Sequence, residues 1–72
     1  MQKSKNKPTA IGVVVEAFPN TLFKVQLEGD KGELLTYLAG KMRLHRIKIL
    51  IGDKVEVELD EYGGKGRIIR RF

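Results

Sequence analysis

A dense cluster of cations is the strongest chemical signal in this sequence. Between Gly40 and Leu50, four Lys or Arg side chains and one histidine fall within eight consecutive positions, and a second cationic group ends the chain. Arginine offers phosphate a planar fork of donors and can stack on bases, whereas lysine contributes a point charge. This pattern favours nucleic-acid binding. The candidate residues are Lys41, Arg43, His45, Arg46, Lys48, Lys65, Arg67 and Arg71, with Lys24 from an earlier segment.

The residue types argue against a catalytic site and against a metal site. The chain has no cysteine and one histidine, which excludes cysteine-based metal sites and disfavours a histidine-rich one. The carboxylates between Glu56 and Glu61 alternate as on a solvated strand, without the contrasting environments of a catalytic pair. The sequence Gly63–Gly66 lacks Walker spacing and a Ser or Thr, so it predicts a hairpin turn. We therefore expect no enzymatic activity, no cofactor and no metal.

Size and charge narrow the class of protein. The chain has 72 residues and a net charge of +5, and a domain this small buries only about 60% of its unfolded surface. The basic balance favours a polyanionic partner. No stretch resembles a signal peptide or is long enough to span a bilayer, so we expect a soluble, intracellular protein. Residues 1–8 are predicted to form a flexible basic tail, and residues 9–72 a single domain.

Alternating apolar residues predict an all-β fold of five short strands. Ile11, Val13 and Val15 fall on one face of the first strand, Gly12 suggests a bend or close backbone approach, and Phe23 is expected in the core. The predicted strands are Thr9–Ala17, 23–28, Leu34–Ala39, 54–60 and Lys65–Phe72.

The connection between the third and fourth strands is unusually long. It runs for fourteen residues from Gly40 to Asp53, and the i, i+3, i+7 spacing of Leu44, Ile47 and Ile51 predicts a short helix packed on a barrel. We expect Leu44 and Ile47, with Ile49 or Leu50, to hold this connection on the core. Five strands with a short helix between strands three and four form the layout of an OB-fold barrel. An SH3-like barrel is the structural alternative.

The aromatic residues are too few for a processive single-strand platform. They are only 7% of the chain, whereas such platforms gain about 1–3 kcal/mol from each base stacked on an aromatic ring. A structured RNA, bound by shape and charge, fits this composition better.

Several segments, in order, resemble bacterial translation initiation factor one. The resemblance extends from about Ile11 to Arg71 and is carried by Phe18–Val25, Gly40–Arg43, Ile47–Leu50, Gly52–Leu59 and Lys65–Ile68. It implies an OB-fold, monomeric off the ribosome, that binds the A site of the small (30S) ribosomal subunit through its RNA. It also implies cooperation with initiation factors two and three, a block on premature tRNA entry, and no cofactor.

The resemblance also implies roles for particular residues. The turn at Asn20 would approach the decoding helix of the ribosomal RNA, and Arg46 stands where many relatives have an aromatic residue. The expected compartment is the cytoplasm or, for an organellar member, the stroma. The residues that would contact phosphates and bases are Lys41, Arg43, Lys48, Lys65, Arg67 and Arg71.

Two other functions fit parts of the same pattern. A general RNA chaperone of the cold-shock type would bind unstructured single strands without a preference for the 30S subunit. A protein-interaction module would use the acidic fourth strand, between Glu56 and Glu61, to bind a basic partner.

Overall fold

Five strands and one short helix build a closed barrel. The computed structural model describes residues 8–60 and 62–72; residues 1–7 of the predicted tail and Glu61 lie outside the described residues. The predicted OB-fold, with its helix between strands three and four, is confirmed. The elements are β1 (Thr9–Ala17), β2 (Leu22–Leu27), β3 (Glu33–Leu38), α1 (Gly40–Leu44), β4 (Lys54–Glu58) and β5 (Gly66–Arg71).

The strands close in the order β1-β2-β3-β5-β4, so each strand is paired on both sides. All pairs are antiparallel except β3 with β5, where Thr36 faces Gly66 and Tyr37 faces Arg67. The connection through α1 leads from β3 towards β4, and the Ala39 N–H donates to the Ile68 carbonyl at 2.9 Å. The chain is thereby tied to β5 where α1 begins.

Alternation along the strands fills the barrel interior. Val25, Val55, Val57 and Ile68 are fully buried, and Phe23 is a core residue as predicted. Among the described residues, the one buried polar side chain is that of Thr36, whose hydroxyl donates to the Phe23 carbonyl at 2.8 Å. This bond offsets the cost of burying the hydroxyl.

The inner face of β1 is the one with small residues. Ala10, Gly12 and Val14 point inward, while Val13 and Val15 are exposed on the outer face. The predicted close approach at Gly12 is confirmed, since a Cβ there would lie 2.5 Å from Val25 Cγ1. Both faces of β1 carry apolar residues. Hydrophobicity therefore does not decide which face points into the barrel; the limited space at Gly12 does.

The α1 connection is held on the core by a different set of residues from the one predicted. Ile47 packs against the core and Ile49 is buried, as expected, but Leu44 is 77% exposed and Ile51 64% exposed. The prediction is wrong for these two because helical periodicity does not extend across the connection. The helix ends at Leu44, Arg46 has a φ of 54°, and Met42 is the buried residue of α1. No helix in the described ranges is long and apolar enough to cross a membrane.

Replacement of Gly12 by alanine should destabilise the barrel. The new Cβ would lie 2.6 Å from the Gln26 carbonyl oxygen, which is backbone and cannot rotate away. Overpacking of this kind costs about 1–3 kcal/mol, and each kcal/mol lowers the melting temperature by about 4–8 °C in a domain of this size. Calorimetry of Gly12→Ala measures the shift.

Gly40→Ala is the matched control. A Cβ at Gly40, the first residue of α1, has nothing within 4 Å, so its melting temperature should stay equal or rise slightly. Equal melting temperatures for the two variants would contradict close packing at Gly12.

Candidate nucleic-acid interface

The first candidate surface lies between α1 and the end of β5. A shallow groove of about 420 Å³ there has an apolar floor formed by Met42, Ile47 and Ile69. We call it the helix groove; its polar lining residues are Lys41, His45, Arg70 and Arg71. Lys41 and His45 are four residues apart, which places them on the same side of the helical turn. Among the described residues that line this groove, none carries a carboxylate.

The backbone holds the cations of the helix groove in place. Arg71 Nη1 donates to the Lys48 carbonyl at 2.7 Å, which joins β5 to the connection after α1. The His45 N–H donates to the Lys41 carbonyl at 3.0 Å and closes the helix. The Arg71 side chain is therefore already held at one of its nitrogens, and Lys41 extends from a closed helical turn, which lowers the entropy lost when they bind a phosphate.

A second groove, of about 360 Å³, lies where β3 meets β5 and β4. It is lined by Tyr37, Lys65 and Arg67 together with the carboxylates of Glu58 and Asp60. We call it the tyrosine groove. Glu58 accepts a hydrogen bond from Arg67 Nε at 3.1 Å and a second one from Arg67 Nη2.

The Asp60 carboxylate accepts hydrogen bonds from two backbone N–H groups of the turn between β4 and β5. The donors are Gly64 at 2.9 Å and Tyr62 at 3.4 Å. Asp60 therefore shapes the turn that carries Lys65. Glu58 and Asp60 therefore bind donors of the protein itself, which leaves them less available to a basic partner.

Ion pairs divide the predicted contact residues into two sets. Lys24 lies between Glu16 and Glu33 at 3.6 and 3.8 Å, and Arg67 pairs with Glu58. Arg70 also pairs, with Glu56 at 3.7 Å. The other set has no ion pair with any described carboxylate. Its members, here called the unpaired cations, are Lys41, Arg43, Arg46, Lys48, Lys65 and Arg71.

The predicted contact residues do not all lie in one groove. Arg43, Arg46 and Lys48 are exposed on α1 and the connection after it, beside the helix groove rather than in its lining. Asn20 lies at the β1–β2 turn, in an apolar depression with Phe18 and Leu35.

Strand register connects the Asn20 turn to the tyrosine groove. Leu22 pairs with Tyr37 and Tyr37 pairs with Arg67, so three neighbouring strands carry these residues in one row. The row leads from the turn at Asn20 to the cations at the start of β5. The predicted residues therefore occupy neighbouring regions of the barrel surface, with β5 common to both cationic grooves.

Two lining residues, Arg70 and Tyr37, lie outside the predicted set of contacts. Tyr37 alternates with the buried Thr36 and the partly buried Leu38, which is the sequence signal for its exposure. Arg70 gives no comparable signal, because the prediction of β5 lacked clear alternation. Within residues 8–60 and 62–72, no three His, Asp or Glu side chains converge as metal ligands.

Comparison with known proteins gives a family and two similar structures. The family model described as translation initiation factor 1A / IF-1 matches residues 1–72. The solution structure of translation initiation factor one from the Wolbachia endosymbiont (strain TRS) of Brugia malayi is 39% identical, with a TM-score of 0.78. The match covers 99% of this chain and 84% of that one.

The crystal structure of YjeQ from Thermotoga maritima is also similar, at 35% identity and a TM-score of 0.76. The match covers 90% of this chain but 23% of YjeQ. The present chain therefore corresponds to one part of that longer protein.

Release of Arg67 from its ion pair should strengthen polyanion binding. Glu58→Gln leaves Arg67 and Lys65 without the Glu58 charge beside them, and we expect the affinity for a labelled RNA hairpin to rise about threefold at fixed salt. Fluorescence anisotropy titration measures the dissociation constant.

Glu28→Gln is the control with the same change in net charge. Glu28 pairs with Lys54 at 3.7 Å, and neither residue lines the helix or tyrosine groove. An equal gain in both variants would mean that net charge alone matters and that the tyrosine groove has no special role.

Proposed function

The chain belongs to the translation initiation factor 1A / IF-1 family as a bacterial-type member, and on that premise we propose that it binds the A site of the 30S ribosomal subunit through ribosomal RNA. A translation initiation factor acts by occupying its site, and this proposal needs no catalytic group. We further propose that bound protein blocks premature tRNA entry and cooperates with initiation factors two and three.

The unpaired cations carry this proposal. Six of the predicted contact residues are exposed Lys or Arg side chains without an ion pair to a described carboxylate, and four of them fall between Lys41 and Lys48. A cation paired with a carboxylate must give up that charge to bind a phosphate, whereas a cation without a carboxylate partner gives up no ion pair of the protein. The α1 region therefore gains the most from a polyanion.

The two grooves would bind different parts of the RNA. In the helix groove, Lys41 and Arg71 would contact phosphates while the apolar floor excludes water between them. In the tyrosine groove, Tyr37 offers an exposed ring beside Lys65, which suits a base together with its phosphate. The turn at Asn20 would lie along the same RNA, since the row of residues from Leu22 to Arg67 links it to that groove.

Exclusion of tRNA and cooperation with other factors would follow from simple binding thermodynamics. A folded barrel in the A site prevents a second ligand from occupying the same volume. If initiation factors two and three raise the affinity for this protein, linkage requires that it raise theirs by the same factor. We propose that the protein acts in the compartment that contains these ribosomes, which is the bacterial cytoplasm or an organelle stroma.

Neutralising two unpaired cations of α1 should weaken binding to 30S subunits. We expect the double variant Lys41→Gln/Arg43→Gln to bind about tenfold or more weakly, and the slope of log K against log salt to fall by about one for each phosphate that is no longer neutralised. If all six unpaired cations meet phosphates, the unsubstituted protein should lose about 10³-fold in affinity between about 50 and 200 mM salt.

The control is Lys31→Gln/Lys54→Gln, which removes the same charge at the β2–β3 turn and the start of β4. Its salt slope should match that of the unsubstituted protein. Binding that is independent of salt, or equally weakened in both double variants, would contradict an RNA interface at α1.

A further inference from the structure

Leu44 is the most exposed large aliphatic side chain in the described part of the chain. It is 77% exposed, while Ile51 is 64% and Leu50 56% exposed. It is also the last residue of α1, in the middle of the cationic segment. An exposed leucine among cations neither stabilises the barrel nor improves solubility, which raises the question of what it contacts.

The geometry of α1 fixes the direction of Leu44. An α-helix turns by about 100° per residue, so Leu44 lies about 200° from Met42, which is 2% exposed and packed in the core. Burial of Met42 therefore points Leu44 away from the barrel, with Lys41 and Arg43 on either side of it. The Ile47 N–H donates to the Met42 carbonyl at 3.0 Å and restrains the end of the helix.

An apolar side chain between two cations suits RNA with unstacked bases. Phosphates would meet Lys41 and Arg43, and a base face or ribose would cover Leu44. In a regular RNA helix the bases are stacked and the major groove is too narrow for side chains, so an apolar group finds no partner there. At a bulge or internal loop the faces of the bases are accessible, and apolar side chains can insert between them.

We propose that Leu44 is an apolar RNA contact that favours non-helical nucleotides over regular duplex. The proposal rests on the proposed function, because it assumes that the α1 surface faces ribosomal RNA. The cations supply affinity without regard to RNA structure, and Leu44 adds a preference for unstacked bases. A protein partner at this position is the alternative outcome of the test.

Ile51 provides a control of the same chemistry in another setting. It occupies a turn closed by the Asp53 N–H, which donates to the Leu50 carbonyl at 3.0 Å, while the Gly52 N–H donates to the Val14 carbonyl. The turn therefore lies against β1, whose outer face carries Val13 and Val15. No Lys or Arg lies within the turn itself.

Site-specific crosslinking tests the contact directly. The chain has no cysteine, so Leu44→Cys and Ile51→Cys each give a single thiol that can carry a benzophenone maleimide. After irradiation on 30S subunits, the label at position 44 should join ribosomal RNA at unpaired nucleotides, as mapped by primer extension. A label at 44 that joins only ribosomal protein, only base-paired RNA, or nothing would overturn the proposal.

Affinity measurements separate this contact from the charge effect. Leu44→Ala should bind 30S subunits about tenfold more weakly because less apolar surface is buried, with the salt slope unchanged because no charge is removed. Ile51→Ala should bind like the unsubstituted protein. Equal affinity of Leu44→Ala and the unsubstituted protein would overturn the contact while leaving the proposed function intact; failure of the unsubstituted protein to bind would overturn both.

Discussion

The burial of Met42 determines how the whole cationic segment faces its surroundings. With one residue of a five-residue helix fixed in the core, the directions of its neighbours follow from helical geometry. Lys41 and Arg43 point to either side and Leu44 points outward. The hydrogen bonds that begin and end α1, from Ala39 to β5 and from Ile47 to Met42, make this arrangement part of the barrel. A short segment that would be disordered as a free peptide thus becomes a rigid carrier of charge.

Pairing of charges across strands gives the barrel surface its asymmetry. Glu58 with Arg67 and Glu56 with Arg70 neutralise each other between β4 and β5, while the cations near α1 have no described carboxylate to meet. Net charge alone would suggest a uniformly basic protein. The structure instead concentrates most of its unpaired positive charge along one connection and its neighbouring strand ends, where a polyanion gains most.

Most of the fold could be predicted from the sequence. The features that could not be predicted depend mainly on strand register and on the space available in the core. Alternation identified the five strands, and the long connection indicated the helix, because both signals are local. The inner face of β1 was not predictable from hydrophobicity, since Val13 and Val14 are equally apolar and the limited space at Gly12 decides between them. Leu44 was misplaced because Met42 is the buried residue of α1, and Ile51 because the positive φ of Arg46 ends the helical periodicity that the spacing assumed. The pairing of Arg67 with Glu58 depends on the β4–β5 register, which residue types alone do not reveal.

We propose above all that the α1 surface contacts ribosomal RNA when the protein occupies the A site of the 30S subunit. Chemical footprinting of 30S subunits, with and without the protein, tests it most directly because it reports the contacted nucleotides without altering the chain. We predict protection confined to the decoding site, which requires at least about tenfold more protein when Lys41 and Arg43 are neutralised. Protection elsewhere on the subunit, or no protection at saturating protein, would contradict the claim.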